Sequence, residues 1–124
     1  MIIDTDILID YFRGKEQAKK QLLKIEKRSI SMVTQFELFQ GARNKKELNL
    51  LKQFIREWAF NVYSINEFIS FETLFLLEKY SLSHGLKMAD SLIAATAIHY
   101  DEELITGNFK DFQFIKEIIV KKYK

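Results

Sequence analysis

Short apolar runs alternate with longer segments of helical periodicity, and this alternation restricts the fold more than any other feature of the chain. Five runs predict strands, at 1–4, 29–33, 60–64, 103–106 and 118–120. The segments between them predict helices at 7–13, 15–27, 34–43, 46–58, 66–85 and 88–99. Strands that are joined through helices form parallel sheets covered on both faces. We therefore expect an α/β fold with a five-stranded parallel sheet flanked by helices.

The chain shows no mark of an internal domain boundary. Its 124 residues are 48% hydrophobic, which is enough to bury the core of one domain without disulfides or a structural metal. No segment is rich in proline, glycine or serine, and proline is absent. A single domain over residues 1–124 is the expectation.

The charge and cysteine content of the chain say more about its cellular compartment than about its binding partners. The 19 basic and 17 acidic residues leave a net charge of +2, too small to indicate a nucleic-acid binder by itself. The absence of cysteine fits a reducing compartment and excludes thiolate zinc sites and cysteine nucleophiles. Acidic residues interrupt the apolar start of the chain, so neither a signal peptide nor a membrane span is expected. These features predict a cytoplasmic protein.

Three acidic residues follow the first predicted strand closely. Asp4 stands at the carboxyl end of that strand, the position where parallel sheets bind ligands and metals. Asp6 comes immediately before the helix predicted from Ile7, so it fits a helix cap better than Asp4 does. We therefore expect Asp4 to be a metal ligand, Asp6 to be either a cap or a residue behind the ligands, and Asp10 to be exposed.

Glu37 has two interpretations. With Thr34 it matches the Ser/Thr-x-x-Glu capping box, which is the safer interpretation of those four residues alone. The helix that carries Glu37 starts just after the second predicted strand, however, so its first turn faces the same edge of the sheet as Asp4. This location favours Glu37 as a site residue.

Asp90 is the most unusual acid in the chain. It lies in an otherwise apolar helix, with Ala94 and Ala97 on its own face. An ionised carboxylate in such a helix is costly to desolvate unless a cation or a hydrogen-bond donor meets it. The helix dipole explains an acid in the first turn but not a buried one. We therefore expect Asp90 to be a ligand.

Polar residues also follow the fourth predicted strand, where Asn108 and Asp111 are candidates for a further position. Together with Asp4, Glu37 and Asp90 they would surround one depression with hard oxygen ligands, which suit Mg²⁺ or Mn²⁺ rather than zinc. The two histidines are not at a ligand spacing, which disfavours an imidazole site.

Four blocks of sequence carry a resemblance to a known family. They are residues 1–10, the segment from Ser31 to Gly41, the segment from Ala89 to Ala97, and the segment from Thr106 to Phe112. Their order, their spacing and the length of the chain resemble PIN-domain ribonucleases, and within them the VapC toxins of bacterial and archaeal toxin–antitoxin pairs.

The resemblance implies a PIN-like three-layer fold and a Mg²⁺- or Mn²⁺-dependent endoribonuclease that acts on RNA. It also implies frequent homodimers and a cognate VapB-like antitoxin that blocks the site, for which we expect a basic side chain among the acids. It assigns the acidic cluster to Asp4, Glu37 and Asp90, with the fourth position at Asn108 or Asp111. Many relatives have aspartate where this chain has Asn108.

The implied chemistry is hydrolysis of phosphodiester bonds. Asp4 and Asp90 would bind the principal ion, and Glu37 would orient or deprotonate water. Basic residues at the edge of the site would steer the RNA backbone, since phosphate contacts supply sequence-independent affinity. The candidates for that role are Arg13, Arg43 and Lys110.

Three alternatives stay open from the sequence. A haloacid-dehalogenase-type phosphatase would use Asp4 and Asp6, but it favours threonine or valine where Leu8 stands. A phospho-receiver domain needs adjacent acids after the first strand, and here Thr5 separates them. A PIN scaffold that has lost catalysis and binds RNA or protein is motivated by Asn108.

Overall fold

The computed structural model describes residues 1–123 and contains the expected five-stranded parallel sheet, so the predicted α/β class is confirmed. The strand order is β3-β2-β1-β4-β5, and all neighbouring strands are parallel. The strands are β1 (Ile2–Ile3), β2 (Ser29–Ser31), β3 (Asn61–Tyr63), β4 (Leu104–Thr106) and β5 (Val120–Lys122).

Helices cover both faces of the sheet. They are α1 (Thr5–Phe12), α2 (Glu16–Lys24), α3 (Met32–Gln40), α4 (Lys45–Glu57), α5 (Glu67–His84) and α6 (Met88–Tyr100), followed by a 3-10 helix (Phe109–Asp111). Alternate residues of the central strands point to opposite faces of the sheet and belong to two different hydrophobic clusters. Ile2 and Leu104 pack with α5 and α6, whereas Ile3 and Ile105 pack with α1, α2 and α4.

Several predicted element boundaries are wrong. The second strand ends at Ser31 rather than at residue 33, because the Ser31 hydroxyl accepts a hydrogen bond from the Val33 amide (3.2 Å) and caps α3. The last strand is displaced from 118–120 to Val120–Lys122, where its register with β4 pairs Leu104 with Val120 and Thr106 with Lys122. The second helix is also shorter than the predicted 15–27.

The strand order places a crevice between the carboxyl ends of β1 and β4. From β1 the chain proceeds to β2 and β3 on one side of the sheet, and β4 and β5 lie on the other side. Ligands of open α/β sheets bind where the strand order reverses in this way. Because Ile3 is paired with Ile105, the next residues, Asp4 and Thr106, emerge side by side at that crevice.

Helix α6 is the buried helix that its apolar sequence predicts. Ile93, Ala94, Ala95 and Ala97 have almost no exposed surface, and the Ser91 hydroxyl donates to the Thr73 carbonyl oxygen (3.1 Å). The small side chains let α6 lie close to α5 and to the sheet.

Within residues 1–123, no helix combines the length and the apolar character that a membrane crossing requires.

The end of α5 yields a stability prediction. Gly85 terminates this helix with φ +71°, which favours glycine, whereas Gly41 terminates α3 with φ −80°. We expect Gly85→Ala to lower the free energy of unfolding by about 1 kcal/mol and Gly41→Ala to leave it within about 0.5 kcal/mol of wild type. Urea unfolding of both variants measures the difference. Equal losses in the two variants would contradict the assigned role of the left-handed conformation.

Candidate active site

Asp4 follows β1 directly and is almost fully buried, at 5% exposure. Its Oδ1 accepts a hydrogen bond from the Thr5 amide (2.8 Å), and its Oδ2 accepts one from the Thr106 hydroxyl (2.7 Å). Helix α1 begins at Thr5, two residues earlier than predicted, so Asp4 is the N-cap. The prediction that Asp6 is the better cap is therefore wrong.

Asp6 instead ties α1 to the loop after β4. One carboxylate oxygen, Oδ2, accepts a hydrogen bond from the Gly107 amide (3.0 Å). The other, Oδ1, is buried and has no hydrogen-bond partner within residues 1–123. A Cβ atom at position 107 would stand 2.5 Å from Asp6 Oδ2, so only glycine permits this approach.

Asp10 is buried, and the prediction of an exposed side chain is wrong. It is 9% exposed and forms a salt bridge with Lys15, whose Nζ lies 3.3 Å from Oδ1. Tyr123 packs beside it. Burial raises the pKa of the Tyr123 phenol, and the Asp10 charge raises it further. Asp10 therefore supports the fold behind the acidic crevice.

Glu37 is oriented by a pair of threonines. The Thr5 hydroxyl lies 2.7 Å from Glu37 Oε1 and 2.9 Å from the Thr34 hydroxyl. Because a hydroxyl carries one proton, Thr5 donates to Glu37 and accepts from Thr34. The capping-box interpretation is wrong, since α3 begins at Met32 and Thr34 is already inside the helix.

Asp90 lies in the first turn of α6 and faces the other acids. Burial raises the pKa of its carboxyl to about 6, and the charges of Asp111, Glu37 and Asp6 raise it in addition. Lys87, the N-cap of α6, lowers the pKa only in part. The half-buried carboxylate therefore experiences negative charge from three other segments of the chain.

Burial and neighbouring negative charge raise the pKa of Asp4 even further than that of Asp90. Burial raises the pKa of Asp4 to about 7, and the charges of Asp6 and Asp90 act in the same direction, while hydrogen bonds from Thr106 and Thr5 lower it. Burial also raises the pKa of Asp6. Without a cation, such a group of carboxylates retains protons near neutral pH because it cannot hold all of its negative charges.

The loop after β4 contributes to the crevice in two ways. Asp111 is exposed, and its charge acts on Asp90. Asn108 contributes its backbone amide, which donates to the Thr106 hydroxyl (2.9 Å). Of the two candidates for the fourth position, Asp111 is the one whose charge acts on the cluster.

The donor set fits a hard divalent cation. All side chains that converge here present oxygen, and Asp6 Oδ1 lacks a protein donor among the described residues. No three histidine, aspartate or glutamate side chains of residues 1–123 are already arranged around a single point as metal ligands.

Two threonines of the site were not identified from the sequence. Thr5 orients Glu37, and Thr106 donates to Asp4 while it accepts from the loop. The position of Thr106 at the end of a strand next to β1 could have indicated it, but only once the strand order was known. For Thr5 the only signal was its place between Asp4 and Asp6.

Comparison with known proteins identifies relatives along the full domain. The family model for the PIN domain matches residues 1–116. The ribonuclease VapC19 of Mycobacterium tuberculosis is 33% identical over 122 residues, an alignment that covers 94% of this chain and 95% of that protein. The ribonuclease VapC1 of Methanocaldococcus jannaschii is 32% identical over 130 residues, with 99% and 86% covered.

A solved structure has the same fold. One chain of a toxin–antitoxin complex from Klebsiella pneumoniae superposes with a TM-score of 0.84 and 31% sequence identity, covering 99% of this chain and 97% of that chain.

The raised pKa of Asp90 predicts how stability depends on pH. The folded state binds the proton of this residue more tightly than the unfolded chain does, because its pKa rises from 3.8 to about 6. The stabilising contribution is therefore present below about pH 4 and is lost as the pH rises through about 6. In EDTA near pH 8, Asp90→Asn should raise the free energy of unfolding by about 1–2 kcal/mol, after allowance for solvent screening.

Urea unfolding near pH 4 and near pH 8 measures this effect. The gain from Asp90→Asn should be larger near pH 8, while the control Glu78→Gln, on the exposed side of α5, should change stability equally at both pH values. A variant that is less stable than wild type at both pH values would show that Asp90 is not under electrostatic strain.

The contact between Asp6 and Gly107 predicts that substitutions at these two positions have non-additive effects on the free energy of unfolding. Gly107→Ala should lower the free energy of unfolding by about 1–3 kcal/mol, because its Cβ would clash with Asp6 Oδ2. In the double variant Asp6→Ala/Gly107→Ala that clash is absent, so its loss of stability should be smaller than the sum of the two single losses. Additive losses would refute the direct coupling.

Proposed function

This chain belongs to the PIN-domain family, and we propose that it is a metal-dependent endoribonuclease, the toxin of a toxin–antitoxin pair. The observation that carries the proposal is the convergence of acids from four segments of the chain: Asp4 and Asp6, Glu37, Asp90, and Asp111. Relatives named as ribonucleases share about a third of their sequence with this chain over nearly its whole length. We take residues 1–124 as a single PIN domain.

PIN-domain nucleases of the VapC kind generally depend on a divalent metal. For this chain we propose Mg²⁺ or Mn²⁺, held by Asp4 and Asp90, with Glu37 and either Asp111 or Asn108 completing the site. When bound, such an ion supplies Lewis-acid activation of water and neutralises charge on the phosphate. The oxygen-only donor set and the raised pKa values support this assignment.

The protein residues then have distinct tasks. Thr5 holds Glu37 through Oε1 (2.7 Å), which leaves Oε2 to orient a water and accept its proton. Thr106 and the Thr5 amide keep Asp4 in one orientation while each carboxylate oxygen retains a lone pair. Contacts with α1 and β4 thus orient Glu37 and Asp4 before any substrate binds.

A cognate VapB-like antitoxin is the proposed partner. The similar Klebsiella chain belongs to a toxin–antitoxin complex. In this chain a groove of about 660 Å³ runs beside Glu37 and is lined by Ile9, Phe12 and Leu50, which are exposed. Such a groove fits an apolar peptide segment that places a basic side chain among the acids.

We also propose a cytoplasmic homodimer, for which α5 offers exposed Phe68 and Phe71.

The two alternatives from other enzyme and signalling families lose support. The family model that matches residues 1–116 is that of the PIN domain. Asp6 Oδ2 accepts a hydrogen bond from the Gly107 amide, so this oxygen is not available as the second acid of a phosphatase pair. A catalytically impaired PIN scaffold remains the competing function, motivated by Asn108.

Substitutions at the two ends of α6 test the activity. Asp90→Asn should lower Mg²⁺- or Mn²⁺-dependent cleavage of single-stranded RNA by about a hundredfold or more, because it removes a ligand charge. Asp101→Asn, the matched control at the C-cap of the same helix, should retain wild-type cleavage. Gel analysis of labelled RNA with metal and with EDTA measures both. Failure of the wild type to cleave any RNA with either ion would favour the impaired scaffold.

A further inference from the structure

A polar cavity of about 510 Å³ opens directly beside the acidic crevice, on the side of β5. Its walls come from the loop and 3-10 helix after β4 and from the last strand, with Asn108, Phe109, Lys110, Gln113 and Lys122 among the lining residues. Asn108 and Asp111 border both the cavity and the acidic cluster. A polymer bound at the acids therefore has a continuous path into this cavity.

Strand register places Lys122 at this edge of the sheet. Lys122 is paired with Thr106, the residue that donates to Asp4, and its Nζ lies 4.8 Å from the centre of the Phe109 ring. Its neighbour Lys121 forms a salt bridge with Glu103 (3.5 Å) instead. The two adjacent lysines of β5 thus have different environments, and only Lys122 belongs to the cavity.

The cations of the cavity are available to a ligand. Neither Lys110 nor Lys122 forms a salt bridge within the part of the chain that the structure describes. By contrast, Arg43, a candidate for steering RNA from the sequence, is held by the Glu47 carboxylate at 2.8 Å. An exposed cation–π contact contributes only about 0.5–1 kcal/mol, so the Lys122 ammonium can exchange the ring for a phosphate.

Phe109 supplies an aromatic surface at the same place. The ring is half-buried, and it lines the cavity next to the two lysines. Aromatic rings stack on unpaired bases, and lysines beside them neutralise the backbone phosphates. This combination distinguishes an unpaired strand from a duplex, whose bases are already stacked on one another.

We propose that this cavity is a subsite for the nucleotide of single-stranded RNA that adjoins the cleaved bond. Phe109 stacks on the base, and Lys110 and Lys122 contact the flanking phosphates. The inference rests on the proposed endoribonuclease function and specifies on which side of the acidic crevice the strand runs.

Fluorescence anisotropy with a short, fluorescein-labelled, single-stranded oligouridylate in EDTA tests the subsite without catalysis. Lys122→Gln should weaken binding several-fold and reduce the slope of log affinity against log salt by about 0.7, the value for one lost phosphate contact on a single strand. Phe109→Leu should weaken binding about fivefold or more, and Phe109→Tyr should restore it. Lys121→Gln, the matched control, should bind as wild type.

Cleavage kinetics with metal separate this proposal from the proposed function. Lys122→Gln and Phe109→Leu should raise KM and leave kcat near wild type. If the wild type binds and cleaves RNA but both variants bind it like Lys121→Gln, the subsite is wrong and the endoribonuclease stands. A wild type that neither binds nor cleaves RNA overturns both proposals.

Discussion

Carboxylates that are held together at a partly buried edge of a sheet repel one another, and the organisation of this protein depends on how that repulsion is balanced. Asp4 is buried next to Asp6 and within the electrostatic reach of Asp90, so its pKa rises to about 7. Hydrogen bonds from Thr106 and the Thr5 amide hold it in place, but they do not neutralise its charge. A proton or a divalent cation must do that. An acidic crevice of this kind is poorly suited to an apolar ligand and well suited to a metal that acts on phosphate.

The rest of the fold keeps these charges together. Hydrophobic residues of β1 and β4 fill both faces of the sheet, and the small residues of α6 bring Asp90 close to the strand ends. The free energy that opposes the acidic repulsion comes from this two-sided core. Since the acidic side chains of the site are attached to a buried strand end and to helices of the core, the fold fixes their positions, while Lys110 and Lys122 lie on exposed segments at its edge.

The sequence predicted those parts of the site that depend on local pattern. The burial of Asp4 at a strand end and the partial burial of Asp90 in an apolar helix could be predicted, because both follow from neighbouring residues in the sequence. The cap of α1 was predicted wrongly, because it depends on the residue at which the helix begins, and Asp4 itself starts it. Asp10 is buried through contact with the distant Tyr123, and Lys122 reaches the site through the register of β5. Such long-range contacts leave no local signal.

The central claim is that Asp4 and Asp90 share one electrostatic environment that a cation relieves. Site-resolved NMR titration of the aspartate side-chain carboxyl carbons, in EDTA and then with saturating Mg²⁺, tests it most directly. The account predicts midpoints of about 7 for Asp4 and about 6 for Asp90 without metal, both falling towards the ordinary aspartate range of about 4 when Mg²⁺ is present. Midpoints near 4 in both conditions, or no response of either residue to Mg²⁺ or Mn²⁺, would contradict it.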